Sequence, residues 1–113
     1  MAAMTTSLTV FDSANNTRTY SLSGHTPAKP RVVVQKRKVS AAATGVSETS
    51  VKVVYGTEDS GGELLGARTS FEVIVRNPVN GISTDVDAAL AVLRDIIAGD
   101  EFANSVATQE YMV

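Results

Sequence analysis

The hydrophobic period of this chain changes at Pro78-Val79-Asn80-Gly81, and that change limits the folds open to it. Upstream, apolar residues recur at every second position, in short segments divided by Asn, Gly and Pro. Downstream, Val86, Leu90, Leu93 and Ile97 stand at i, i+4, i+7 and i+11. A period of two reads as strand and a period near 3.6 as helix. Strands first and helices last predict an α+β fold with an antiparallel sheet.

The segments follow one another simply. Leu8 and Val10 alternate with Thr9 and Phe11, Ser13 to Asn16 is a turn, and Thr17 to Leu22 alternates again. Asn tolerates the left-handed conformation that tight turns need, so residues 7–22 predict a β-hairpin. Ser23 to Pro30 is a connector whose two prolines disfavour helix. Ala41 to Glu48 reads as a loop or loosely paired strand ends. Thr49 to Tyr55 and Ala67 to Asn77 are strands, completing a sheet over residues 31–77, and Gly56 to Gly66 between them is an acidic loop with four glycines. Its only large apolar residues are Leu64 and Leu65. Helices are expected within 84–107. Thr84 and Asp87 approximate a capping box, Gly99 stops the first helix and Asp100 can cap a second. At 113 residues the chain is expected to form a single domain, 1–113.

Charge singles out one strand. Five of the ten Lys and Arg fall between Lys29 and Lys38: Lys29, Arg31, Lys36, Arg37 and Lys38. Val32 and Val34 alternate with Arg31, Val33, Gln35 and Arg37, which predicts Val32 and Val34 in the core and the other four facing outward. A one-residue slip would exchange the faces and put Lys36 and Lys38 outward instead. A solvated edge strand, where lysines block aggregation, is the plainer alternative. In the next strands Val51, Val53 and Tyr55 alternate with Ser50, Lys52 and Val54, and Phe71, Val73 and Val75 with Glu72, Ile74 and Arg76. Residues 1–55 hold seven Lys/Arg against two acids, net +5; residues 56–113 hold three against ten, net −7. Such a split favours contact with a polyanion or with other copies of the chain.

Little in the chain suggests catalysis. There is no Cys, and the sole His, His25, sits between Gly24 and Thr26 in the connector and is expected at the surface. Glu58-Asp59, Asp85-Asp87 and Asp100-Glu101 fit a loop tip and two helix starts better than acid/base work. No glycine-rich stretch leads into Lys-Ser/Thr as a phosphate loop requires. No enzyme, cofactor or metal is expected. The N-terminus lacks a basic region and a long apolar run, so no signal peptide or membrane span is expected either.

In this order the chain resembles the coat proteins of the single-stranded RNA bacteriophages, the levivirus-like capsid proteins. The resemblance runs over nearly its whole length: a hairpin, a basic strand R-V-V-V-Q-K-R-K-V, a strand S-V-K-V-V-Y, a Gly-rich loop, and a long strand T-S-F-E-V-I-V-R-N. An acidic S-T-D entry then leads into the helix A-A-L-A-V-L-R-D-I-I-A, followed by a short helix and an aromatic near the end. The resemblance implies a homodimer in which the helices of each copy cover the sheet of the other. It implies dimers closing into an icosahedral shell around single-stranded genomic RNA, assembly in a host cytoplasm, and residence in the virion. It also implies an RNA-binding set by position: Arg31, Val33, Gln35, Arg37, Ser50, Lys52, Val54, Glu72, Ile74 and Arg76. The loop Gly56–Gly66 would lie at the symmetry axes, and some members bind an RNA stem-loop as translational repressors. By the expected register no aromatic lies on the RNA side, against the base stacking that specific single-strand recognition uses. A non-viral nucleic-acid-binding sheet, and an oligomer binding an anionic metabolite, are the alternatives.

Overall fold

The computed structural model describes residues 3–58, 60–63 and 66–113. The chain divides into two compact units, Met1–Val79 and Asn80–Val113. The first is a sheet of five strands: β1 Thr9–Ala14, β2 Thr17–Ser21, β3 Arg31–Lys38, β4 Val46–Tyr55 and β5 Thr69–Pro78. Its order is β1-β2-β3-β4-β5, with every neighbouring pair antiparallel. The N-terminal hairpin is thus the first part of the sheet, joined to it through β2 and β3, and is not a layer laid on top.

Local chemistry explains each junction. Asn15 and Asn16 have φ of 52° and 60°, the left-handed pair that a two-residue type I′ hairpin needs, and Asn adopts it at low cost. The turn is tighter than expected, since Ser13 and Ala14 already belong to β1. Register shifts between Val10 and Asp12, so Phe11 sits in a bulge. The connector is folded back on its own ends. Leu22 N–H donates to the Arg31 carbonyl at 2.9 Å, and Gly56 N–H to the Pro30 carbonyl at 2.7 Å. Gly56 is buried there, and a Cβ on it would meet Pro30 Cδ at 3.1 Å. Across the same junction Lys29 Nζ pairs with Glu58 Oε1 at 2.9 Å. His25 is half-buried, not a plain surface residue: its Nδ1 accepts the Arg31 N–H at 3.0 Å. β4 begins three residues before the expected Thr49. Leu64, Leu65 and Asp59, singled out in the loop, lie outside the described residues.

The second unit holds α1 Ser83–Ala98 and α2 Asp100–Thr108. The Thr84–Asp87 capping box does not form. The cap position is Ile82, without a side-chain bond; its carbonyl accepts the Asp85 and Val86 N–H groups at 3.1 and 3.3 Å. Gly99 ends α1 as expected but with an extended backbone, and it also occupies the cap position of α2, so Asp100 is already helical. Asp100 and Glu101 still lie in the first turn of α2, where the helix dipole favours acids. Among the described residues no helix is long and apolar enough to cross a membrane, and no cluster of acidic or His side chains could hold a metal ion.

Candidate nucleic-acid interface

Residues directly opposite in an antiparallel pair share a face. Val33 stands opposite Tyr20 on one side and Val53 on the other, and Gln35 opposite Arg18 and Val51. Val51, Val53 and Tyr55 in turn stand opposite Val73, Phe71 and Thr69. This assembles an apolar face from Tyr20, Val33, Val51, Val53, Phe71, Val73 and Val75. The other face carries Thr17, Thr19 and Ser21 of β2, then Val32, Val34, Lys36 and Lys38 of β3. Glu48, Ser50, Lys52 and Val54 of β4 follow, with Ser70, Glu72, Ile74 and Arg76 of β5. Side chains agree with this register. Tyr20 Oη donates to Gln35 Oε1 at 3.2 Å, the Arg31 guanidinium lies 4.9 Å from the Tyr55 ring centroid, and Arg76 Nε meets Glu48 Oε2 at 3.4 Å.

The ten residues expected to line one RNA face are therefore divided between two. Ser50, Lys52, Val54, Glu72, Ile74 and Arg76 do lie together on the polar face. Arg31, Val33, Gln35 and Arg37 point the other way, among the valines. Val33, expected to face outward, is the one buried hydrophobic side chain among the described residues, at 8% exposure. Val32 and Val34, expected in the core, are half-buried on the polar face. The cause is the run Val32-Val33-Val34: three equal residues let either phase of the alternation be the inner one, and a one-residue slip reverses both faces.

On the corrected polar face the cations of β3 are Lys36 and Lys38. Both are exposed, and neither has a carboxylate within ion-pair distance among the described residues. Lys52 stands opposite Glu72 in register. The Arg76–Glu48 pair is solvent-exposed on both sides, at 64% and 45%, so it contributes at most about 1 kcal/mol and is easily exchanged for another anion. Four cations against two acids on β3–β5 give a net +2 on this face. β2, between β1 and β3, contributes three hydroxyls to this face, Thr17, Thr19 and Ser21, that were not among the expected residues; their strict alternation along the strand was the available signal. Lys36, Lys38, Glu48 and Ser50 border an open hollow of about 290 Å³ beside the Asn15–Asn16 turn. β2–β5 place no aromatic ring on this face; Tyr20, Tyr55 and Phe71 all belong to the other.

The apolar face is open. Val51 is 38% exposed, Tyr55 37% and Phe71 45%. The helical unit likewise exposes Leu90, Ile96, Ile97 and Val106. Fully burying side chains of this size is worth about 1.5–3 kcal/mol each, and between 37% and 50% of each of these residues is still exposed.

No protein-family profile and no curated protein sequence matches the chain. Solved structures do match. A chain of the virus-like particle of Wenzhou levi-like virus 4 superposes with a TM-score of 0.83 at 18% identity, covering 97% of this chain and 80% of that one. A chain of the virus-like particle of bacteriophage AVE019 gives 0.75 at 11% identity, with 98% and 91% covered. One from Beihai levi-like virus 32 gives 0.74 at 10% identity, with 95% and 83% covered. A five-stranded antiparallel meander followed by two helices, matched over nearly its full length, gives this chain the fold of the RNA-phage and levi-like virus coat proteins.

Proposed function

We propose that the chain is a coat protein: two copies form a dimer, dimers assemble into a closed shell, and the polar sheet face packages single-stranded RNA. Its role is structural, without a catalytic site, and its place is the virion. The observation that carries this reading is the contrast between the faces. One is apolar and open, with a single buried side chain; the other is hydroxyl-rich and cationic. The first calls for a partner of like surface, and the helical unit of a second copy supplies one. β5 supports the pairing as well. It is a ten-residue edge strand without a bulge, whereas the other edge, β1, is interrupted at Phe11. An unguarded edge of that length is a template for a second strand.

Lys36, Lys38, Lys52 and Arg76 would bind phosphates, and Thr17, Thr19 and Ser50 would donate to phosphate or ribose oxygens. With no ring from β2–β5 on that face to stack a base, RNA is held through its backbone, and packaging is tolerant of sequence. The test is expression in bacteria, isolation of particles and measurement of their RNA. Shells with a 260 nm excess are expected. Changing Lys36, Lys38 and Lys52 to Gln should leave the dimer folded, lower RNA content, and reduce the salt slope of binding by roughly 0.7 per lost phosphate contact. Small oligomers that bind RNA but never form shells would point instead to a nucleic-acid-binding module. Unchanged RNA content would remove the polar face from the reading.

A further inference from the structure

The apolar face carries charge of one sign. Among the strand positions assigned to it, the charged residues are Arg18, Arg31 and Arg37, with no Asp or Glu. None of the three has a carboxylate within ion-pair distance among the described residues. Arg18 reaches only the Ser13 hydroxyl, at 3.4 Å. Arg31 lies against the Tyr55 ring, and its Nε–H is buried without an acceptor. Arg18, Tyr20, Gln35 and Arg37 border an open groove of about 240 Å³ at the end of this face.

The helical unit has the opposite balance. Residues 80–113 hold one cation, Arg94, against Asp85, Asp87, Asp95, Asp100, Glu101 and Glu110, net −5. One of these acids, Asp85, lies on a row of α1 that flanks the apolar stripe Val86, Leu90, Leu93 and Ile97. Asp85, Ala89, Val92 and Ile96 are spaced i, i+4, i+7 and i+11, and Val92 and Ile96 are exposed at 60% and 39%. Covering three guanidiniums with a purely apolar partner would strand them, since a cation removed from water needs a counter-charge. An acidic, amphipathic helical surface satisfies both the valines and the arginines.

We infer that Arg18, Arg31 and Arg37 receive carboxylates of the helical unit of a second copy, so that dimer formation is selected by charge as well as by apolar area. This rests on the dimer proposed above and names what recognises it. RNA is the weaker occupant of this face: the arginines stand among Val33, Val51, Val53 and Phe71, whereas the hydroxyls and free lysines suited to a hydrated backbone are on the other face.

The test is a pair of charge-reversed chains, measured free of RNA by light scattering and sedimentation. In one, Arg18, Arg31 and Arg37 become Glu, turning the face from +3 to −3. In the other, Asp85, Asp95 and Glu110 become Lys, turning the helical unit from −5 to +1. Each alone should dimerise at least about 100-fold more weakly than the native chain, while an equimolar mixture should form the heterodimer. A gentler variant, with the three arginines changed to Gln, should keep the native circular dichroism and lose most of the salt dependence of dimerisation. Homodimers of native strength from either reversed chain, or no heterodimer from folded partners, overturn the inference while leaving an apolar dimer in place. A Gln variant that dimerises as the native chain does but loses RNA overturns it in favour of RNA on this face. A native chain that stays monomeric at all concentrations overturns this inference and the dimer alike.

Discussion

Val33→Ala tests the assignment of the two faces directly. The change removes two methyl groups from the one hydrophobic side chain that is buried among the described residues. At about 0.8 kcal/mol per buried carbon the transfer loss is about 1.6 kcal/mol. Tyr20 and Val53 flank the site on adjacent strands of a paired sheet and cannot fully close on the space, so a cavity contribution brings the cost to roughly 2 kcal/mol. Unfolding entropy near 2.1 cal/mol/K per residue comes to about 0.24 kcal/mol/K for this chain, which converts the loss into a fall in Tm of about 8 °C. Val34→Ala removes the same atoms from a half-buried position on the polar face and should lower Tm by less than half as much. The assay is thermal melting followed by circular dichroism on RNA-free protein at one fixed concentration, because the Tm of a dimer moves with concentration. If Val34→Ala proves the costlier change, the faces are inverted and Arg31, Gln35 and Arg37 return to the face proposed to bind RNA.

Gly56→Ala should destabilise by about 1–2 kcal/mol, since the added Cβ presses on Pro30 where the backbone bond is already 2.7 Å; denaturant unfolding would read it, and a neutral result would mean the connector gives way freely. Asn16→Gly should leave stability unchanged or raise it slightly, while Asn16→Val, forced to a φ near 60°, should cost about 1–2 kcal/mol; equal melts for the two would contradict a left-handed turn. Deleting Ser60-Gly61-Gly62 should spare the dimer and alter or abolish shells, judged by light scattering and electron microscopy; loss of the folded dimer would show that the loop contributes to folding.

The period of the apolar residues was enough to predict the strands, the helices and their order, because alternation and the i, i+4, i+7 stripe are local properties. Register is not local. Nothing within Arg31–Lys38 distinguishes Val33 from Val32 or Val34; only the partners Tyr20 and Val53 do, and they come from strands whose alignment depends on turn geometry. The bulge at Phe11 and the two-residue turn at Asn15–Asn16 set that alignment for β1 and β2, and neither offset could be counted from the sequence. The error then carried into the expected set: residues of β4 and β5 that do share a face were joined to the residues of β3 that lie on the other. His25 shows the same limit, since its acceptor role depends on a connector that folds back to place the Arg31 N–H beside it.

The meander has a kinetic consequence. Each strand pairs with the one before it, so the sheet needs only short loop closures, and chains rich in local contacts form quickly. Yet a sheet with one buried side chain gains little by forming alone. Refolding should therefore show a fast first-order step that gathers the strands, followed by a second-order step whose rate rises with chain concentration. With the proposed dimer, newly made chains would remain loosely folded while scarce and acquire durable structure as they accumulate, so that the lifetime of each chain would follow the abundance of its copies.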